Sequence, residues 1–189
     1  MATLEDIRDQ IVNSGIILNK RRHHRLVDAM KLVSSAIDRG SHIFEVAVSS
    51  KADVEDLRKI KASFPEAVVG AGSLSQIELM KDSLYAGADF FVSPHSDAAM
   101  INFAKEKSVF YVPGGASPNE LWQLAQSNPD MQNWYTGKNI AAYQLEDLKS
   151  ELPQLNLLLT VKADAFEICL EKSDKLKRSG ALAVRIDLA

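Results

Sequence analysis

In the stretch SHIFEVAVSSK, residues 41–51, a single carboxylate, Glu45, stands among Ile43, Phe44, Val46 and Val48. Such β-branched and aromatic residues suit a pleated, buried surface, where a carboxylate is costly unless it is paired or hydrogen-bonded. Two kinds of chemistry meet that condition. Partly desolvated, Glu45 has a raised pKa and can act as general acid and base near neutrality. Paired with a buried lysine or arginine, it is a structural acid. The second group of interest is Lys162, a lone cation ending the apolar run in LNLLLTVKAD. On strand parity it shares a face with Thr160 and Leu158. A desolvated lysine has a depressed pKa, which supplies the neutral amine a Schiff base requires. The plain alternative is an ammonium at a strand's end that reaches solvent.

The elements that must position these groups are regularly spaced. Short apolar runs start near Gly15, His42, Ala67, Asp89, Ser108, Met131, Leu155 and Ala181, at intervals of roughly 20 to 27 residues. Helical spacing fills the gaps. In RLVDAMKLVSSAIDRG, the residues Leu26, Ala29, Met30, Val33, Ala36 and Ile37 fall on one face, and Gly40 suits the C-terminal cap. ADVEDLRKIKASFP and SLSQIELMKDSLYAGA behave the same way, the second ending at Gly87. Strands alternating with helices imply a parallel sheet with right-handed crossovers. Eight such units predict an α/β fold, a small (β/α)8 barrel (TIM barrel), with an open doubly wound sheet as the competing arrangement. No G-x-G-x-x-G follows the first strand and no P-loop signature occurs, which weighs against a nucleotide-binding sheet. Barrels of this class typically run to about 250 residues, so this one has tight loops. An N-terminal helix is expected, and the last helix is expected to be lacking.

Composition sets the bounds. The chain has 189 residues, 46% hydrophobic and 25% charged, as expected of one globular domain spanning 1–189. A formal charge of −3 gives no bias toward nucleic acid or an anionic membrane. The single cysteine, Cys169, excludes a disulfide within the chain and fits a reducing compartment. The opening MATLEDIRDQIVNSG lacks the apolar core of a signal peptide, and no apolar run approaches the length of a membrane span. A cytoplasmic protein is the expectation.

Three stretches carry a resemblance. FEVAVSS, FPEAVVGAGSLSQIE with AGADFFVSPHSDAAMI, and VFYVPGGASPNEL resemble, in order and spacing, the 2-keto-3-deoxy-6-phosphogluconate (KDPG)/4-hydroxy-2-oxoglutarate (KHG) aldolases. That family shows E-V-T-x-R-T on strand two, V-G-A-G-T on strand three, I-S-P-G on strand four and P-G-x-x-T-x-x-E after strand five. The match covers roughly residues 40–121. The resemblance implies a barrel, usually a homotrimer, that runs class I aldol chemistry without metal or other cofactor. In it a lysine forms a Schiff base with pyruvate or another 2-keto acid and a glutamate shuttles protons. Glu45 falls on the family's glutamate. The ligand implied is a small anionic keto acid, and no nucleic acid or membrane is expected as a partner.

The sequence also departs from that family. Its sixth-strand lysine aligns at or beside Gln132 or Asn133, neither of which is a lysine. Lys138, in YTGKN, and Lys162 are the candidates for a relocated nucleophile. The strand-two arginine is Ser49, and the threonine after the glutamate's valine is Ala47. Ser73 and Ser117 keep hydroxyls at the G-A-G-T and P-G-x-x-T positions and are candidate contacts to a keto-acid carboxylate. The strand-seven glycines that cradle phosphate are Val161 and Lys162, and the strand-eight turn reads AVRIDL, where Arg185 could act as a point charge. Such a divergent lyase has an alternative: a catalytically inactive family member that binds a small anion or a protein.

The remaining features are less specific. NKRRHHR, residues 19–25, follows strand one; Lys20 and its neighbours Arg21, Arg22, His23, His24 and Arg25 either steer an anion or form a solvated helix start. His23 and His24 are adjacent and do not present the i, i+4 face of a metal pair. His42 and His95 stand alone. There is no G-x-S-x-G, and Cys169 reads as a buried structural thiol. Trp122 reads as helix packing, whereas Trp134, on strand six, is expected to fill the barrel beside the missing lysine.

Overall fold

Each short apolar run has two faces to bury, and the chain buries one against its own barrel interior and the other under helices. The computed structural model describes residues 3–20, 25–136, 140–163 and 166–188. The order is α1 (Leu4–Ser14), β1 (Ile16–Lys20), α2 (Leu26–Ile37), β2 (Ile43–Ala47), α3 (Lys51–Ser63) and β3 (Val68–Gly72). There follow α4 (Ile77–Tyr85), β4 (Phe90–Val92), α5 (Ala98–Lys107), β5 (Phe110–Val112) and β6 (Gly114–Gly115). The last elements are α6 (Pro118–Ala125), β7 (Gln132–Trp134), α7 (Ala142–Glu151), β8 (Leu157–Ala163), α8 (Phe166–Arg178) and β9 (Ala183–Leu188).

Local chemistry sets the helix ends. Thr3 caps α1 in a reciprocal capping box with Asp6, and Ser50 and Asp97 cap α3 and α5 through their side-chain oxygens. Beyond α2, Gly40 takes a left-handed conformation, φ 84°, as its position in the sequence predicts.

All strand pairs are parallel, in the order β5-β4-β3-β2-β1-β9-β8-β7-β6. β5 and β6 are two halves of one stretch interrupted at Pro113, which has no N–H to give to a ladder. The first half pairs with β4 and the second with β7, and the Pro113 carbonyl accepts from the Asn133 N–H at 2.9 Å. The ring therefore closes through this stretch, and the fold is the expected (β/α)8 barrel. α1 covers its lower end, and among the described residues no helix follows β9.

Alternation along each strand separates two cores. Leu18, Phe44, Val46, Val69, Phe91, Leu159 and Ile186 face the outer helices. Ile17, Ile43, Val68, Phe90, Phe110 and Leu158 fill the barrel, closed below by Ile7 and Ile11 of α1. Trp134 differs from expectation. It packs in the outer layer, its indole N–H donating to the Ala116 carbonyl at 3.1 Å, because parity on β7 turns Asn133 inward instead.

Candidate active site

Toward the C-terminal ends of the strands, where barrel enzymes carry their chemistry, the inward positions turn polar. Asn19, Glu45, Asn133, Thr160, Arg185 and Asp187 are all buried. Glu45 has no solvent exposure, and its partner is Arg185, two strands away across β1. Arg185 Nη1 donates to Glu45 Oε1 at 2.9 Å and reaches Oε2 at 3.3 Å. Nε and Nη2 donate to Thr160 Oγ1 at 3.2 and 2.9 Å, Thr160 being the register partner of Arg185 on β8. Burial pushes the Glu45 carboxyl above its ordinary pKa; Arg185 opposes the shift and Asp187 adds to it. Asn19 Nδ2 donates to Asp187 Oδ1 beside this pair.

The glycines of VVGAG make room for the arrangement. A Cβ at Gly72 would lie 1.8 Å from Glu45 Oε1, and one at Gly70 would lie 2.4 Å from the Phe90 ring. The carboxylate thus lies across a strand position that only glycine leaves open.

Above the ion pair is a cavity of about 140 Å³ bordered by Ser73, Ser75, Pro94, Asn133, Tyr135 and Arg185. Apart from the guanidinium its lining is uncharged. Ser73 sits there with φ 56°, an uncommon conformation for a non-glycine residue. Asn133 Nδ2 donates to the Ser93 carbonyl at 2.8 Å, and Asn133 Oδ1 is buried without a hydrogen-bond partner among the described residues. Larger hollows, one of about 610 Å³ beside α7 and α8, lie among the outer helices, away from the polar cluster.

The structure brings together some of the residues singled out in the sequence and separates others. Glu45, Arg185 and Ser73 converge on the mouth. Lys162 is half-buried on β8, two residues beyond Thr160 and in register with Asp187, but it does not border the cavity. Lys20 points away from the barrel interior. It is buried between β1 and α3, with Nζ 3.0 Å from Asp56 Oδ2, because Asn19 takes the inward position. Ser117 is the N-cap of α6: its Oγ accepts from the Glu120 N–H at 3.3 Å and donates to Glu120 Oε2 at 2.9 Å. Ser49 likewise serves a helix start, donating to Asp53. Arg25 is exposed and paired with Asp28. Lys138, with Arg21, Arg22, His23 and His24, lies outside the described residues. Among the described residues no three His, Cys, Asp or Glu side chains gather as a metal site would require, and no helix is long and apolar enough to cross a membrane. Ser75, Tyr135 and the side-chain oxygen of Asn133 were not singled out, and the sequence carried no signal that turned Asn133 rather than Trp134 inward.

Fold and mouth together define a (β/α)8 barrel with a buried polar cluster at the C-terminal ends of its strands. The family model described as KDPG and KHG aldolase matches residues 7–128, and the chain belongs to this family. The 2-dehydro-3-deoxy-phosphogluconate aldolase of Dickeya dadantii (strain 3937) is 27% identical over 118 residues, 60% of this chain and 53% of that protein. The KHG/KDPG aldolase of Escherichia coli (strain K12) is 29% identical over 106 residues, 56% of this chain and 48% of that protein. The chain spans about half the length of the curated relatives it matches. Among solved structures, a KDPG aldolase from Legionella pneumophila with pyruvate captured as a covalent carbinolamine intermediate superposes with a TM-score of 0.78 at 18% identity, covering 95% of this chain and 85% of that one. The 2-keto-3-deoxy-6-phosphogluconate aldolase of Zymomonas mobilis ZM4 gives 0.78 at 21%, covering 97% and 85%. These two likenesses show the fold. The family match includes Glu45 and ends before β7, β8 and β9, which supply Asn133, Thr160, Lys162 and Arg185.

Proposed function

We propose that this barrel binds a small carboxylate bearing an oxygen at C2 in the cavity at its mouth, with Arg185 as the anchor of the carboxylate. The supporting observation is a buried guanidinium that borders a cavity with otherwise uncharged walls. Arginine carries five N–H donors in a planar fork suited to carboxylates. Glu45 and Thr160 occupy only part of that set, which leaves a terminal nitrogen with a hydrogen to offer. Ser73 and Ser75 add hydroxyls at the rim. Isothermal calorimetry with pyruvate and lactate tests the reading. Arg185→Gln should weaken binding by at least about tenfold, as expected for losing a charge-assisted hydrogen bond. Unchanged affinity in that variant would remove the anchor.

A second reading, aldolase-type lyase chemistry through a Schiff base, is favoured by the family and by Lys162 standing on the same inward face of β8 as Thr160. In it Glu45 moves the proton and Lys162, or Lys138, supplies the amine. Borohydride trapping with pyruvate, followed by intact mass and peptide mapping, decides it. An adduct on either lysine establishes a class I site. Absence of an adduct across a range of pH, with a known family aldolase labelled alongside, ends it. The homotrimer implied by the resemblance belongs to this reading, and light scattering tests it.

A further inference from the structure

We infer that Thr160 is a positioning residue for this site: its hydroxyl oxygen holds the Arg185 fork open and keeps one N–H of Nη2 for a ligand carboxylate rather than for Glu45. This rests on the Arg185 reading above.

A guanidinium has five N–H bonds, one on Nε and two on each terminal nitrogen. In Arg185, Nε and Nη2 both donate to Thr160 Oγ1, at 3.2 and 2.9 Å. Nη1 serves Glu45, with Oε1 at 2.9 Å and Oε2 at 3.3 Å. The second hydrogen of Nη2 is left without an acceptor among the described residues.

Without Thr160 the pair would close differently. Arginine and a carboxylate favour two parallel N–H···O bonds, one from each of two nitrogens. Here a single nitrogen faces both oxygens of Glu45. Turning the fork to bring Nη2 onto Oε2 would complete the pair and consume the hydrogen that a ligand needs. Thr160 opposes that turn, because its one oxygen takes Nε and Nη2 together. It is buried on β8 as the register partner of Arg185, so the strand ladder places its oxygen. Being uncharged, the hydroxyl orients the guanidinium without cancelling its charge, as a carboxylate at the same position would. Thr160 is not among the residues that border the cavity, so its effect passes through Arg185.

Thr160→Val keeps the shape of the side chain and removes the acceptor; Thr160→Ser keeps the acceptor. Calorimetry on the full chain with pyruvate and with lactate is the test. The valine variant should bind both about tenfold or more weaker, the loss of a charge-assisted hydrogen bond, and the serine variant should stay within about threefold of the unaltered protein. A second readout does not need the valine variant to fold. The Arg185 Nε–H, identified by its loss in Arg185→Gln, should give a slowly exchanging NMR signal in the ligand-free unaltered protein and in Thr160→Ser. Unweakened binding by Thr160→Val overturns the inference. So does a serine variant that loses as much as the valine one, or rapid exchange of that Nε–H in the unaltered protein. Failure of the Arg185 reading looks different: no carboxylate binds, or Arg185→Gln binds as before, and the role of Thr160 then falls with it. Where Arg185→Gln loses affinity and Thr160→Val does not, the anchor stands and only the present inference fails.

Discussion

Arg185 Nη1 lies 2.9 Å from Glu45 Oε1, joining the last strand to the second across the interior of the barrel. Both side chains are almost wholly withdrawn from water, at 5% and 0% exposure. The carboxylate that the sequence presents as a candidate acid and base is half of a buried ion pair.

Removing either partner leaves a buried charge uncompensated. Glu45→Met and Arg185→Met should each destabilise the protein by about 3–5 kcal/mol, and the double variant should recover most of that loss. Urea unfolding of the four proteins gives the coupling. Additive losses would mean that the pair is not energetically coupled.

Gly72→Ala should cost about 1–3 kcal/mol, because the new Cβ falls 1.8 Å from Glu45 Oε1 and the carboxylate is held there by Arg185. In a Glu45→Ala background the clash is gone, so the same substitution should cost much less. Thermal unfolding of the two pairs makes the comparison.

Ligand affinity should rise as pH falls. Burial already holds the Glu45 pKa above its ordinary value, with Asp187 adding to the shift and Arg185 opposing it. Asn19 faces the same cluster from β1, and Thr160 and Lys162 from β8. A ligand carboxylate on Arg185 adds negative charge beside Glu45 and raises its pKa further, so binding takes up a proton. Affinity is then greatest below the raised pKa of the free protein and declines as pH climbs through it. Calorimetry in buffers of different ionisation enthalpy measures the uptake directly; a value of zero across the range would refute the coupling.

Asn133→Lys places an amine at the inward-facing one of the two strand positions, 132 and 133, at or beside which the resemblance puts the family's nucleophile. Buried near the Arg185 guanidinium, that amine should have a depressed pKa and be partly neutral. Borohydride should then trap pyruvate on residue 133 in the variant, with peptide mapping as the readout.

Periodicity disclosed the alternation of strands and helices, and hence the barrel, because each element repeats the same burial problem. It did not disclose which face of a strand turns inward. Barrel strands are apolar on both sides, so IILNK does not say whether Asn19 or Lys20 faces the interior, nor QNW whether Asn133 or Trp134 does. The structure chooses Asn19 and Asn133. The pairing of Glu45 with Arg185 was legible only as one of two options, since its partner lies 140 residues along the chain and depends on the stagger of three strands, β2, β1 and β9. Ser117 did carry a local signal: SPNE, with Glu120 three residues on, is the pattern of a capping box, and the hydroxyl serves that helix.

Pro113 has a consequence for how the protein behaves in a crowd. By splitting its strand, it lets one stretch of chain serve two neighbours, β4 on one side and β7 on the other. Among the described residues this join narrows the border of unpaired amides and carbonyls on which a second chain could add a strand, the usual starting point of strand-to-strand aggregation.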